Sequence, residues 1–192
     1  MINHKHKFIF THIPKTGGSS VHYFFINIDR SHVKSVIRHK TTAQIKAGIE
    51  KKVFEDYFKF AYVRNSWDRE LSLYTYITQS RHHFFHKEAV KCNDFSTYLK
   101  QTYHDKRLAY HQYDWVSDKN GDLLVDFVGR FENLQQDFII ICDKIGIPYI
   151  KLPQKNKSNH KHYTEYYDDE TRELVAQKYA RDIEYFGYEF GE

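Results

Sequence analysis

Cysteine is scarce in this sequence of 192 residues, and the scarcity argues against two classes of protein. Cys92 and Cys142 are the two cysteines. They are too few for a disulfide framework and lack the spacing of a metal site. Reduced thiols in the cytoplasm are therefore the simplest interpretation.

Long apolar runs are also missing. No run of about 18 apolar residues occurs, so we expect no membrane-spanning helix, and no apolar signal segment precedes the first predicted strand. We expect a soluble, cytoplasmic protein, and leave association with a membrane surface open.

A strong charge of one sign is absent as well. The 29 basic and 25 acidic residues give a net charge of +4, too small an excess to predict nucleic-acid binding by itself. An anionic cofactor would account for a local basic pocket. No internal repeat, low-complexity segment or linker interrupts the chain. We therefore predict one α/β domain over residues 1–192, a length that allows a sizeable core.

One stretch near the start, residues 8–21, has the pattern of a strand, a glycine loop and a helix. Residues 8–13 are a short apolar run typical of a buried strand, and Pro14 ends it because proline has no N–H for a ladder. Residues 15–20 follow as a loop of small residues, Lys-Thr-Gly-Gly-Ser-Ser. Apolar residues then recur at helical spacing, namely Val21, Phe24, Phe25 and Ile28. A helix is predicted to begin at or just before Ser19.

The chemistry of this loop suits a phosphate or sulfate group. Gly17 and Gly18 let backbone N–H groups approach an anion, and the helix N-terminus adds unpaired donors and about half a positive charge. Lys15 supplies a full charge. Further donors are the hydroxyls of Thr16, Ser19 and Ser20. The alternative is a plain turn with Ser19 as the helix cap. The loop is not that of the P-loop NTPases, because here the lysine precedes the glycines.

The order His-Ile-Pro-Lys-Thr-Gly-Gly-Ser-Ser over residues 12–20 resembles the loop that binds the 5′-phosphosulfate in sulfotransferases. It is most similar to the carbohydrate sulfotransferase branch (sulfotransferase family 2) that includes the heparan sulfate 2-O-sulfotransferases. Residues 60–74 resemble the family's 3′-phosphate motif, in which an arginine is followed eight residues later by a serine. Arg64 and Ser72 have that separation, and Ser66 stands where the family often has proline. The resemblance extends from residue 8 to residue 190.

This resemblance implies a fold and an activity. The fold is a three-layer, P-loop-NTPase-like α/β domain with a central parallel sheet flanked by helices. The activity is transfer of a sulfuryl group from 3′-phosphoadenosine 5′-phosphosulfate (PAPS) to a hydroxyl acceptor, expected to be a carbohydrate, with no metal required. Two rival functions are an ATP-dependent kinase on a related fold and a non-catalytic module that binds anions or carbohydrates.

The resemblance also implies roles for single residues. Lys15 would stabilise charge on the leaving phosphate oxygen. Arg64 offers a planar fork to the 3′-phosphate and Ser72 a hydroxyl donor. An ion pair between Arg64 and Asp68 is the alternative. His39, after a predicted strand over residues 32–38, is the expected general base, because the pKa of histidine is near neutrality. A solvent-exposed histidine at a strand end is the alternative there.

Two basic segments follow later in the chain. Residues 152–163 form a polar loop that in the family covers the cofactor, so Ser158 and Lys161 are assigned to nucleotide binding; an ordinary solvated loop is the alternative. Residues 79–89 are rich in histidine and predict a basic surface facing the acceptor. His82 and His86 have the spacing of zinc ligands on a helix, but no third ligand is evident, and no metal site is expected.

Periodicity predicts the remaining elements. Strands are expected over residues 58–64 and 125–128, the second within a hairpin that turns at Asn120-Gly121. An aromatic loop is expected over residues 110–115. Helices are expected over residues 43–49, 67–78 and 95–103, from a cap at Asn133 to residue 145, and as a single last helix from Asp168 to residue 186.

Overall fold

The computed structural model describes residues 1–28, 33–34, 40–108, 111–153 and 161–192. Contacts divide the chain into two compact units, each built from two segments. Residues 1–64 and 112–157 form the first unit, and residues 65–111 and 158–192 form the second. The single domain over residues 1–192 stays a prediction.

A mixed sheet is the framework of the first unit. Its strands are β1 (Ile2–Asn3), β2 (Phe8–Thr11), β3 (Val33–Lys34), β4 (Phe58–Val63) and β5 (Phe127–Arg130), in the order β3-β1-β2-β4-β5. The pairs β2–β4 and β4–β5 are parallel, and the short β1 is antiparallel to both of its neighbours. The predicted parallel sheet is thus confirmed at its centre. Because β2 and β4 run side by side, the loops that follow them leave the same edge of the sheet.

Helices cover both faces of this sheet, because successive side chains of a strand point to opposite faces and both sets are largely apolar. Aromatic residues on one face, among them Phe8, Phe10 and Phe60, pack against α1 (Gly18–Ile28) and α8 (Leu134–Lys144). Ile9 points to the other face, where it meets α2 (Thr42–Ala47) and α3 (Lys51–Asp56). All four sheet side chains are fully buried, and each buried apolar side chain stabilises the fold by about 1.5–3 kcal/mol. The result is the predicted α/β arrangement of three layers.

Several predicted details of the first unit are wrong. Residues 112–116 form a short helix, α7 (Gln112–Val116), instead of a loop. The hairpin is reduced to one bridge between Ser117 and Leu123, because β5 pairs with β4 instead. Asn133 precedes α8 without a side-chain cap, since a 3₁₀ turn over Phe131–Asn133 leads into that helix.

The second unit is helical. It contains α4 (Ser66–Gln79), α5 (His86–Lys91), α6 (Phe95–Thr102), α9 (Asp169–Lys178), α10 (Ala180–Phe186) and 3₁₀ turns at Lys106–Leu108 and Tyr163–Tyr166. Its core joins Trp67 and Leu71 of α4 to Val175 of α9. The predicted single last helix is wrong, because Tyr179 leaves helical geometry (φ −115°, ψ 25°) and separates α9 from α10. Within the ranges described, no helix is both long and apolar enough to cross a membrane.

Candidate anion-binding site

The loop between β2 and α1 makes a sharp turn through two left-handed residues. Lys15 has φ 70° and Gly17 has φ 79°. Between them Thr16 is fully buried, and its hydroxyl donates to the carbonyl oxygen of Ile13 at 3.0 Å. A hydroxyl has one proton. In this structure Thr16 donates it within the loop, so the hydroxyl stabilises the turn. Turns with left-handed residues form the backbone concavities that bind anions.

Glycine is required at the start of α1 by close packing. A Cβ atom on Gly18 would lie 2.2 Å from Cδ2 of His12, whose ring stacks on Phe10. A Cβ atom on Gly17 would lie 3.0 Å from the ring of Phe131. The first N–H groups of a helix have no partner within the helix. Gly18 and Ser19 therefore begin α1 as backbone donors, beside a loop that carries Lys15.

Arg64 lies one residue beyond β4 and contacts this loop. Its Nη1 donates to the carbonyl oxygen of Lys15 at 3.2 Å. The guanidinium carbon lies 4.0 Å from the centroid of the Phe131 ring, and 7% of the residue is exposed. Lys15 and Arg64 belong to different sequence motifs and are 49 residues apart in the chain. The parallel pairing of β2 and β4 brings the two cations together.

The proximity of two cations and their burial change the protonation of Lys15. Burial, with a smaller contribution from the Arg64 guanidinium, lowers the pKa of Lys15 to about 8. Lys15 is thus mostly charged at neutral pH but is held at a free-energy cost. The positive charges of Lys15 and Arg64 repel each other, and a bound anion would reduce that repulsion.

Comparison with known proteins places the chain in a family. A sequence model described as "Sulfotransferase family" matches residues 1–189. The chain belongs to the sulfotransferase family. One relative is an uncharacterized protein of Archaeoglobus fulgidus, 30% identical over 104 residues, which cover 54% of this chain and 80% of the relative. No solved structure matches.

The remaining residues predicted for the cofactor of this sulfotransferase are distributed over both units. Ser19 is half-buried in the first turn of α1, and the N–H of buried Ser20 donates to Gly17 at 2.9 Å. Ser72 is buried on α4 of the second unit. Lys161, also in the second unit, is exposed and forms an ion pair with Glu165 at 2.9 Å. His39 and Ser158 lie outside the described residues, so their roles stay predictions.

The candidate site includes two residues that the sequence did not predict for it. Phe131 stacks on Arg64 and packs against Gly17. The side-chain amide of Gln112 exchanges two hydrogen bonds of 2.8 Å with the backbone of Arg64. Both residues are far from the loop motifs in sequence. The signal available in the sequence was a phenylalanine directly after β5, at the end of the sheet where the loops meet.

The histidine-rich segment of this sulfotransferase lines an open pocket at the surface of the second unit. Its volume is about 750 Å³. Its lining comprises Tyr76, Gln79, Ser80, Arg81, His82, His83 and Phe84. Phe84 is 74% exposed. Burial, with a smaller effect from His86, lowers the pKa of His83, which disfavours its charged form. Arginine stays protonated in proteins, so Arg81 is the cation of this lining.

His82 and His86 do not share a helix. His82 lies in a turn, and His86 is the first residue of α5. Over the described part of the chain there is no group of three or more histidine, cysteine, aspartate or glutamate side chains that could hold a metal ion. The helical spacing on which a zinc pair would depend is therefore not formed.

Proposed function

We propose that this sulfotransferase takes its sulfuryl group from PAPS and transfers it to a hydroxyl of a carbohydrate. The contact between Arg64 and the carbonyl of Lys15 carries the proposal. It supports one anion site that combines two cations, and arginine and lysine side chains are the usual ligands of phosphate groups in proteins. The parts described fit such a donor.

Each residue then has an assigned task. PAPS, when bound, supplies the sulfuryl group, and the acceptor oxygen displaces adenosine 3′,5′-bisphosphate. The ammonium of Lys15 and the first N–H groups of α1 oppose the negative charge that grows on the leaving phosphate oxygen. The planar fork of Arg64 is assigned to the 3′-phosphate. His39 is assigned to the acceptor proton.

The assignment of a carbohydrate acceptor is supported by the lining of the second unit's pocket. Tyr76 and Phe84 are two partly exposed aromatic residues in this lining, and aromatic side chains suit the apolar faces of sugar rings. Arg81 and several polar side chains accompany them. Buried, unpaired thiols at Cys92 and Cys142 support the proposal that the protein works in the reducing cytoplasm.

Calorimetry with three nucleotides tests this function. We expect adenosine 3′,5′-bisphosphate to bind at least about tenfold more tightly than 5′-AMP or Mg-ATP. Arg64→Ala should remove most of that preference, since a charge-assisted hydrogen bond contributes about 1.5–3 kcal/mol. Arg181→Ala, an exposed arginine of the second unit, is the matched control and should keep the preference.

Two outcomes would replace the proposal. Tightest binding of Mg-ATP would favour a kinase. Binding of the bisphosphate without sulfuryl transfer from PAPS to any of a panel of mono-, oligo- and polysaccharides would favour a non-catalytic module. Transfer to a saccharide, lost in Lys15→Ala, is the expected result.

A further inference from the structure

The backbone of Arg64 is held by a side chain instead of a strand. Arg64 follows the last residue of β4. Its N–H donates to Oε1 of Gln112 at 2.8 Å, and its carbonyl oxygen accepts from Nε2 of Gln112 at 2.8 Å. One primary amide thus satisfies both backbone groups, as a neighbouring strand would. Gln112 is fully buried, so water does not compete for these bonds.

The helix that carries Gln112 is in turn held by a buried polar network. Gln112 is the first residue of α7, and the carbonyl oxygen of Trp115 in that helix accepts from the hydroxyl of Thr42 at 2.9 Å. The hydroxyls of Thr42 and Thr11 lie 2.8 Å apart. Because Thr42 has one hydroxyl proton and gives it to Trp115, Thr11 must be the donor in that contact.

This network connects the ends of two strands. Thr11 is the last residue of β2, directly before the loop of Lys15. Thr11, Thr42 and Gln112 are all fully buried. The backbone of α7 links the hydrogen bonds of Thr11 and Thr42 to those of Gln112. Buried hydrogen bonds in a medium of low dielectric constant are rigid, because breaking one leaves an unpaired polar group. The network therefore sets where Arg64 leaves the sheet relative to the loop.

The orientation of the Arg64 guanidinium depends on where the Arg64 backbone is held. The guanidinium lies over the ring of Phe131 and donates to the carbonyl oxygen of Lys15. A planar fork binds phosphate well only in one orientation. A small displacement of the Arg64 backbone would turn the fork away while leaving the loop around Lys15 in place.

We propose that Gln112 is a positioning residue that gives this site its preference for a nucleotide carrying a 3′-phosphate. It acts through the backbone of Arg64 and touches no ligand. The inference rests on the proposed function, in which Arg64 binds that phosphate.

The test compares adenosine 3′,5′-bisphosphate with 5′-AMP by calorimetry in Gln112→Met. Methionine has similar length and lacks both hydrogen bonds. We expect the preference for the bisphosphate to fall about tenfold while the affinity for 5′-AMP changes less than about twofold. Gln135→Met is the matched control. The amide of Gln135 makes the same double pairing with the backbone of Leu152, at 3.0 and 3.1 Å, and its loss should leave the preference within about twofold.

A second comparison shows whether the effect passes through Arg64. In the Arg64→Ala background, where most of the preference is already lost, Gln112→Met should change the affinity for the bisphosphate itself by less than about twofold. A further fall of about tenfold in that background would overturn the inference. If Gln112→Met does not fold, Gln112→Asn, which keeps the amide on a side chain one methylene shorter, is judged by the same criteria.

Failure of the inference and failure of the proposed function give different results. If the wild-type protein shows no preference for the bisphosphate, the proposed function fails and the inference with it. If the wild type prefers the bisphosphate and Gln112→Met keeps that preference, Gln112 is structural only, and the proposed function stands.

Discussion

Replacing Lys15 by methionine should make the protein more stable, although it removes a charge that we assign to the reaction. Burial and Arg64 lower the pKa of Lys15 from its ordinary value of 10.5 to about 8. The folded protein therefore holds the charged amine less favourably than the unfolded chain does. One pKa unit corresponds to about 1.4 kcal/mol. The difference between 10.5 and about 8 thus lowers the free energy of unfolding by about 3 kcal/mol at pH 7.

The dependence on pH separates this effect from ordinary packing changes. Below pH 8 Lys15 is charged in both states, and the full cost is present. Between pH 8 and pH 10.5 the unfolded chain binds more protons than the folded protein, so the wild-type free energy of unfolding rises with pH. Lys15→Met lacks this rise. Its advantage should fall from about 3 kcal/mol at pH 7 to about 1 kcal/mol at pH 10.

Urea denaturation of both proteins at pH 7 and pH 10 measures this difference. Other titrating groups contribute equally to wild type and variant, so the difference between them isolates Lys15. Lys52→Met, at an exposed position of α3, should change the free energy of unfolding by less than about 0.5 kcal/mol at both pH values. A Lys15→Met protein that is no more stable than wild type at pH 7, or that keeps its full advantage at pH 10, would refute the reasoning.

Two further substitutions test the packing on which the site and the second unit depend. Gly18→Ala should lower the free energy of unfolding by about 1–3 kcal/mol, because its Cβ would lie 2.2 Å from the His12 ring and overpacking costs about that much; thermal denaturation measures the loss, and His12→Ala should restore it. Tyr179→Phe should cost about 2 kcal/mol in urea denaturation, because the buried tyrosine hydroxyl donates to Glu70 at 2.5 Å and a hydrogen bond to a charged group is worth about 1.5–3 kcal/mol.

Each of these substitutions has a control in the same unit. Gly48→Ala places its Cβ 3.5 Å from the nearest backbone oxygen, an ordinary contact, and should be close to neutral. Tyr185→Phe alters a tyrosine that is 49% exposed, and should change stability by less than about 0.5 kcal/mol. Equal losses in variant and control would contradict the argument from close packing at Gly18 or from hydrogen bonding at Tyr179.

The elements next to the two motifs could be predicted from the sequence because their signals are local. The apolar run before Pro14 and the helical spacing after Ser19 depend on neighbouring residues, and both elements are present. The same holds for β4 and α4 on either side of Arg64. Parallel pairing then follows from the α/β pattern.

The rest depended on interactions between distant residues. Gln112 meets Arg64 across 48 residues of sequence, and a five-residue helix such as α7 has too few turns to show periodicity. Tyr179 fitted the spacing of one long helix. Its hydroxyl is satisfied by Glu70 and Leu108 of other segments, and the backbone breaks there. No local pattern records such partners.

The division of the chain into two interleaved units has a consequence for its biosynthesis. The second unit needs both residues 65–111 and residues 158–192. The indole N–H of Trp67, on the earlier segment, donates to the carbonyl oxygen of Arg172 at 2.9 Å. This partner is synthesised later than Trp67. At about 5–20 residues per second, a ribosome adds the 105 residues from Trp67 to Arg172 in about 5–21 seconds. During that interval α4 exposes an apolar face on the nascent chain, and chaperones have their opportunity to bind there.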